Sequence, residues 1–235
     1  VREILKKSKM WIFKGNDLTV DAVDIFLTNL LKERIRGIGG KKILIIGAGN
    51  IGFKTALQMI ERGGKVLLCA RNKKKLDVKV KALNLVKSLH TVEKVKAVSI
   101  KKLREGVKDF DIIIGATNGK SVVDKKLIEQ SKKETVLIDL GKGTFYEDAI
   151  KFANDRNQKI YRLDISIALE GHINKLLMLE KNKENDFSSK KLHGINLLST
   201  GLLGNYGDII LDNIKKPKRV FGVCDGHGDF LRKIN

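Results

Sequence analysis

The chain has 235 residues, of which 42% are hydrophobic and 31% are charged, a balance that excludes an intrinsically disordered protein. Its apolar runs fall short of the roughly 18 residues that a membrane-spanning helix needs, and its charged N-terminus lacks the apolar stretch of a signal peptide. Two cysteines, Cys69 and Cys224, are too few for a disulfide framework, so we expect a reducing, cytoplasmic environment.

The formal net charge of +20 comes from 47 basic and 27 acidic residues. An excess of this size attracts polyanions, nucleic acid among them. However, lysine outnumbers arginine several-fold, as AT-rich codon usage also produces. The lysines are scattered, without the aromatic residues between them that would stack on bases. The pattern therefore disfavours nucleic acid as the partner.

Helical and extended patterns alternate along the first two thirds of the chain. The apolar spacing predicts a helix over 20–36, which the glycines at 37, 39 and 40 end, and then a short apolar strand over 41–46. Further helices are predicted at about 51–62, 72–88, 122–131 and 145–156, and further strands at 66–70, 95–100, 111–115, 136–140 and 160–163. Strands separated by helices pair in parallel through right-handed crossovers. We therefore predict an α/β fold with a doubly wound, mostly parallel sheet of the Rossmann type.

The alternation loosens after residue 165. An amphipathic helix is predicted over 166–180 and a polar loop over 181–191, while strands are predicted over 195–199 and 219–224, on either side of a glycine-rich segment, 201–208. We predict three parts: an N-terminal helical segment (1–40), the Rossmann domain (41–165), and a C-terminal α/β extension (166–235) that packs on it.

A glycine-rich motif, Gly47-Ala48-Gly49-Asn50-Ile51-Gly52, leaves the first strand and opens the next helix. In this context the first glycine permits a tight turn, the second lets the backbone approach a pyrophosphate, and the third allows close packing of the helix on the strand. Free backbone N–H groups and the helix dipole would then attract the phosphates. The motif predicts a dinucleotide site formed by Gly47, Gly49, Asn50, Ile51 and Gly52.

The end of the second strand indicates which dinucleotide is bound. An NAD site usually has an acidic residue there for the adenosine ribose, but this chain reads Ala70-Arg71-Asn72-Lys73. Arginine and lysine can pair with a 2′-phosphate instead. A solvated basic helix start would explain the lysines but not the missing acid. We therefore predict NADP as the cofactor, bound here by Arg71, Asn72 and Lys73.

The fourth predicted strand ends in small and polar residues, Ala116, Thr117 and Asn118. In a doubly wound sheet this strand end faces the nicotinamide half of the cofactor. Thr117 or Asn118 could therefore bind the ribose there. The alternative is an ordinary turn without a ligand.

The glycine motif, Ala70-Arg71-Asn72, and the stretches 111–118 and 135–141 together resemble the NADP-binding domain of shikimate/quinate dehydrogenases, and the related domain of glutamyl-tRNA reductase is similar. The resemblance covers roughly 20–165 and implies that Arg71 meets the 2′-phosphate. In the dehydrogenases the substrate-binding residues lie on a separate domain ahead of the glycine-rich strand. Only 40 residues precede Lys41 here, so we expect that domain to be missing from this chain.

Candidates for catalysis follow the fifth strand and lie near the C-terminus. Lys142 could polarise a carbonyl, and Asp139 could tune the pKa of Lys142. Alternatively, Asp139 caps a turn and Lys142 is solvated. His227, in the segment Cys224-Asp225-Gly226-His227-Gly228-Asp229, could act as an acid or base, or pair with Cys224. The segment lacks the paired spacing of a zinc motif, so no metal site is predicted.

Three classes of function fit these features. The first is an NADP-dependent oxidoreductase that moves hydride to or from a small polar, anionic carbonyl or hydroxy compound. The second is the cofactor-binding domain of a larger dehydrogenase or reductase, and the third is a nucleotide-sensing regulatory module. A homo-oligomer paired through the N-terminal helix is a further expectation.

Overall fold

The computed structural model describes residues 10, 12–103, 107–141, 143–182 and 188–233. The chain forms two compact units, Val1–Glu170 and Gly171–Asn235. In the part of the chain that is described, no helix has both the length and the apolar character needed to cross a membrane.

The first unit is built on a six-stranded sheet in which every pairing is parallel. Its strands are β1 (Lys42–Ile46), β2 (Lys65–Ala70), β3 (Lys96–Ser99), β4 (Ile112–Gly115), β5 (Val136–Asp139) and β6 (Ile160–Arg162), in the spatial order β3-β2-β1-β4-β5-β6. This order confirms the predicted doubly wound Rossmann-type fold. The order reverses between β1 and β4, which is where such sheets bind ligands.

Helix α1 (Gly15–Leu30) precedes β1, and α7 (Ser166–Asn182) follows β6. The helices that connect the strands are α2 (Asn50–Glu61), α3 (Lys73–Val86), α4 (Ile100–Leu103), α5 (Lys125–Glu129) and α6 (Glu147–Asp155). The Asn72 side chain caps α3 by accepting a hydrogen bond from the Lys75 amide. The Asp124 side chain caps α5 in the same way. Asn and Asp are favoured there because their oxygens satisfy an N–H group that has no partner inside the helix.

The central strands β1 and β4 are apolar apart from Lys42, the exposed first residue of β1, because both faces of the sheet are covered. Alternate residues of β1 enter two different cores, with Ile43 and Ile45 in one and Leu44 and Ile46 in the other. This alternation follows from the two-residue repeat of a strand. A strand buried on both faces therefore reads as a continuous apolar run.

The predicted bounds of the first helix were wrong. A helix was expected over 20–36, but α1 begins at Gly15 and ends at Leu30, and turns occupy 31–40. The apolar spacing extends to Ile35, but Ile35 is fully exposed and lies in the turns after α1. The apolar repeat in the sequence therefore continues beyond the end of the helix. Ion pairs of Asp17 with Lys54 and of Asp24 with Arg62 join α1 to α2.

The second unit contains a five-stranded sheet that the sequence only partly predicted. Its strands are β7 (Ser189–Leu192), β8 (Ile195–Ser199), β9 (Ile209–Leu211), β10 (Val220–Cys224) and β11 (Phe230–Lys233), in the order β11-β10-β9-β8-β7. Only β8 and β9 pair in parallel. β7 lies largely within the predicted loop 181–191, since its four exposed residues, Ser-Lys-Lys-Leu, carry little apolar signal. That this part packs on the Rossmann domain stays a prediction.

Candidate dinucleotide-binding site

Two glycines of the motif are required by the packing of the turn itself. Gly47 has φ +117°, and a Cβ there would lie 2.4 Å from the carbonyl oxygen of Ala116. A Cβ on Gly52 would lie 1.9 Å from the carbonyl oxygen of Gly47. Real side chains do not approach a backbone oxygen so closely, so these positions hold α2, β1 and the β4 end in contact.

Gly49 differs from both, because a Cβ there would meet no protein atom within 4 Å. It is the N-cap of α2, no side chain caps that helix, and its first turn contains no acidic residue. The first N–H groups of a helix have no intrahelical partner. The α2 N-terminus is thus open to a ligand that accepts hydrogen bonds, and a phosphate fits this requirement.

A cavity of about 840 Å³ lies at the carboxyl ends of β1, β2 and β4. This volume is within the usual range for small-molecule and cofactor sites. Seven of the predicted cofactor-binding residues form part of its wall: Gly47, Gly49, Arg71, Asn72, Ala116, Thr117 and Asn118. The others, Asn50, Ile51, Gly52 and Lys73, are not part of the wall, and their contact with a cofactor stays a prediction.

The charged side chains in the described cavity wall are all positive. Arg71, Lys75, Lys79 and Lys120 contribute to it, and the described residues that form it include no Asp or Glu. None of the four makes an ion pair with a described carboxylate. Charged groups left unneutralised at a cleft raise its electrostatic potential and favour a ligand of opposite charge. The cavity therefore favours an anion.

Three of these cations were missed by the sequence analysis. Lys75 and Lys79 follow Arg71 at intervals of four residues, the spacing that places helical side chains on one face. That spacing was a usable signal, whereas nothing comparable marked Lys120. Lys73 pairs instead with Asp77 one turn along α3, so its charge is neutralised at an exposed position. The Lys79 ammonium donates a hydrogen bond to the carbonyl oxygen of Ala48 in the glycine turn.

The loops that follow β4 and β5 are joined by hydrogen bonds. The Thr117 hydroxyl donates to the carbonyl oxygen of Lys120 at 2.8 Å and lies 2.9 Å from the Thr144 hydroxyl. The Ser121 hydroxyl donates to the Gly143 carbonyl oxygen at 2.8 Å. These bonds hold the backbone on which Thr117 and Lys120 reach the cavity.

Asp139 organises the second of these loops. Its buried carboxylate accepts hydrogen bonds from the backbone N–H groups of Gly141 at 3.0 Å, Gly143 at 2.8 Å and Thr144 at 3.4 Å. Both oxygens are thus used by the loop, as in the turn-capping alternative. Its catalytic role stays a prediction, and Lys142 lies outside the described residues.

His227 lies in the second unit, in the turn between β10 and β11. Asp225 accepts hydrogen bonds there from the backbone N–H groups of His227 at 2.7 Å and Asp229 at 3.0 Å. The bond from the His227 N–H is the main cause of a lowered Asp225 pKa. The Asp225 carboxylate therefore organises the turn through backbone groups, and a catalytic role for His227 stays a prediction.

Thiolate chemistry at Cys69 and metal binding gain no support from the described residues. Cys69 lines the cavity, and burial raises the pKa of its thiol to about 12, so it stays protonated at neutral pH. No three His, Cys, Asp or Glu side chains within the described ranges are grouped as a metal ion would require.

The family model of shikimate/quinate 5-dehydrogenase matches residues 29–166, which is more than half of the chain. The chain belongs to this family. The match spans all six strands of the first sheet and the whole glycine turn, which confirms the resemblance predicted from the motifs. It identifies the first unit as a nucleotide-binding domain of the dehydrogenase type.

Two curated proteins similar to this family member are glutamyl-tRNA reductases. The protein from Methanococcus aeolicus is 28% identical over 195 residues, which are 79% of this chain and 47% of the reductase. The protein from Methanococcus maripaludis is 30% identical over 176 residues, which are 71% of this chain and 43% of the reductase. The chain spans less than half the length of these two relatives.

Solved structures support the fold. A dipicolinate synthase chain from Bacillus halodurans superimposes with a TM-score of 0.53 at 17% identity, over 70% of this chain and 55% of that protein. The corresponding dipicolinate synthase chain from Bacillus subtilis has a TM-score of 0.52 at 18% identity, over 72% and 55%. At such low identity the likeness shows the shared fold alone.

Proposed function

We propose that the first unit binds NADP(H) and serves an oxidoreductase that moves hydride to or from a small polar, anionic carbonyl or hydroxy compound. The observation that carries this proposal is the wall of the cavity, in which four cations occur without a carboxylate among the described residues. NADP carries more negative charge than NAD because of its 2′-phosphate. An excess of cations therefore favours NADP over NAD.

Two cations, Arg71 and Lys75, lie directly after β2 and in the first turn of α3, and we expect the 2′-phosphate to bind at this strand end. Arg71 follows directly after the last residue of β2, Ala70, at the strand end where NAD-binding proteins place an acidic residue. Ala70 cannot accept a hydrogen bond through its side chain, whereas the Arg71 guanidinium can pair with a phosphate through two N–H groups. Lys75, one helical turn further, adds a second charge to the same wall.

Other residues of the wall would hold the rest of the cofactor. The open N-terminus of α2 at Gly49 suits the pyrophosphate, and Thr117 and Asn118 at the β4 end suit the nicotinamide ribose. When bound, the cofactor would supply or accept the hydride. Lys120, the one cation that the β4-end loop contributes to the described wall, is placed to attract an anionic substrate.

A second candidate function is that of a cofactor-binding domain within a larger dehydrogenase or reductase. It is favoured by the coverage of the curated relatives, since this chain matches less than half of their length. The two proposals share the NADP(H) site and differ in turnover. Binding of NADPH without oxidation by any small carbonyl compound would favour this second candidate.

Replacing Arg71 with aspartate tests the site. We expect the Kd for NADPH to rise about 10- to 100-fold, because a hydrogen-bonded charge pair with phosphate contributes about 1.5–3 kcal/mol. The Kd for NADH should change little. The measurement is a fluorescence titration with each nucleotide.

Lys74→Asp is the matched control, since Lys74 is three residues from Arg71, is exposed in the first turn of α3 and is not part of the cavity wall. It changes the net charge by the same amount and should leave both dissociation constants within about twofold, as expected of a screened, distant charge. If the unmodified protein binds neither nucleotide, the proposed function is wrong.

A further inference from the structure

Lys79 links α3 to the glycine turn. It lies in the second turn of α3, is only partly exposed, and its ammonium donates a hydrogen bond to the carbonyl oxygen of Ala48. Ala48 stands 31 residues earlier in the chain and belongs to the turn between β1 and α2. Both residues form part of the cavity wall. This contact therefore joins two segments that meet only in the folded site.

We propose that Lys79 is a positioning residue for the glycine turn, which it prepares for the pyrophosphate shared by NADPH and NADH. This inference rests on the proposed function and deepens it. Arg71 would distinguish the two nucleotides, whereas Lys79 would strengthen the binding of both. These two cations of the cavity wall would thus have separate tasks.

The first argument concerns the direction of a peptide group. The carbonyl oxygen of Ala48 and the N–H of Gly49 belong to the same planar trans peptide and point in opposite directions. A hydrogen bond that fixes the oxygen also fixes the N–H. Gly49 is the N-cap of α2, so the orientation of this peptide helps to set how the turn meets a ligand.

The second argument concerns charge. A carbonyl oxygen carries partial negative charge, and in the wall of an anion site it would repel a phosphate. The Lys79 ammonium covers this oxygen and replaces a negative partial charge with a net positive one. No described carboxylate pairs with Lys79, so its charge is not neutralised by an ion pair within the described part of the chain. Lys73, which pairs with Asp77, could not act in this way.

The test compares Lys79→Met with Lys79→Arg and with Lys74→Met, a control at a position outside the wall. Titrations with NADPH and with NADH should show both dissociation constants raised by the same factor, about tenfold, in Lys79→Met, as for the loss of one charge-assisted hydrogen bond. The ratio of the two constants should stay that of the unmodified protein. Lys79→Arg should restore most of the affinity, and Lys74→Met should leave both constants unchanged. Unchanged constants in Lys79→Met, or a change for NADPH alone, would overturn the inference.

A second measurement separates this inference from the proposed function. In the ligand-free protein, the NMR amide resonance of Gly49 should move in Lys79→Met and stay in place in Lys74→Met, because the Lys79 ammonium donates a hydrogen bond to the adjoining carbonyl of Ala48. An unmoved Gly49 resonance contradicts the positioning role even if both nucleotides bind. Absence of binding in the unmodified protein, with a moved resonance, contradicts the proposed function and leaves the contact of Lys79 with the turn supported.

Discussion

Replacement of Gly49 by alanine is expected to abolish tight binding of NADPH and NADH while leaving the thermal stability of the protein unchanged. The φ of Gly49 is −76°, which alanine adopts without strain, and the added Cβ meets no protein atom within 4 Å. The methyl group would instead occupy open space at the N-terminus of α2, where the pyrophosphate has to approach the backbone. We expect both dissociation constants to rise roughly 100-fold or more, which corresponds to about 2.8 kcal/mol. Nucleotide titration and thermal denaturation measure the two quantities.

Gly52→Ala is the variant with which the stability of Gly49→Ala should be compared. Its Cβ would lie 1.9 Å from the carbonyl oxygen of Gly47, so α2 would have to move away from β1. Overpacking of this kind costs about 3 kcal/mol or more, and the melting temperature should fall by about 6–12 °C. A Gly49→Ala protein that is destabilised as much as Gly52→Ala would show that Gly49 serves packing rather than ligand approach.

Asp139→Asn is expected to destabilise the protein strongly. The buried carboxylate accepts three backbone N–H groups, whereas an asparagine of the same shape would turn an NH₂ group toward some of them. Leaving buried donors without an acceptor costs about 1–3 kcal/mol each. We expect the free energy of unfolding to fall by about 3 kcal/mol, as measured by urea denaturation. The loops after β4 and β5 should lose their order first, since Asp139 organises the second of them.

Asp109→Asn is the matched control for this prediction. Asp109 is exposed and lies 3.8 Å from the ammonium of Lys42 and 3.9 Å from that of Lys132, so its ion pairs are screened by solvent. Its loss should change the free energy of unfolding by no more than about 1 kcal/mol. An Asp139→Asn protein with unchanged stability and lost turnover would instead support the catalytic role considered for Asp139 in the sequence analysis.

The features that could be predicted from the sequence are those that depend on residues adjacent in the chain. The apolar run of β1, the glycine motif and the start of α2 are adjacent, so their order alone predicted the turn that the structure contains. The absence of an acidic residue after β2 and the presence of Arg71 could be predicted as well, because both lie next to the end of that strand. Seven of the predicted cofactor-binding residues line one cavity because parallel strands bring their carboxyl ends to one edge.

Other parts could not be predicted because their signals are weak or depend on distant partners. β7 consists of exposed, mostly polar residues, and its strand conformation depends on pairing with β8. The apolar spacing up to Ile35 continues past the end of α1, since periodicity does not reveal where a helix loses contact with the core. Asp139 looked like a candidate for tuning the pKa of Lys142, because its three backbone partners are not visible in the sequence.

Local order and residue type were enough to specify the class of the fold, the position of the glycine turn and the basic character of the β2 end. Which charges face the cavity was settled by folding. Lys73 and Lys79 stand on the same helix, yet one pairs with Asp77 and the other reaches Ala48 across the site. The physical reason is that a side chain's electrostatic role depends on the groups that folding brings within a few ångströms. For Lys73 that group lies one turn along the same helix, whereas for Lys79 it lies 31 residues away in the chain.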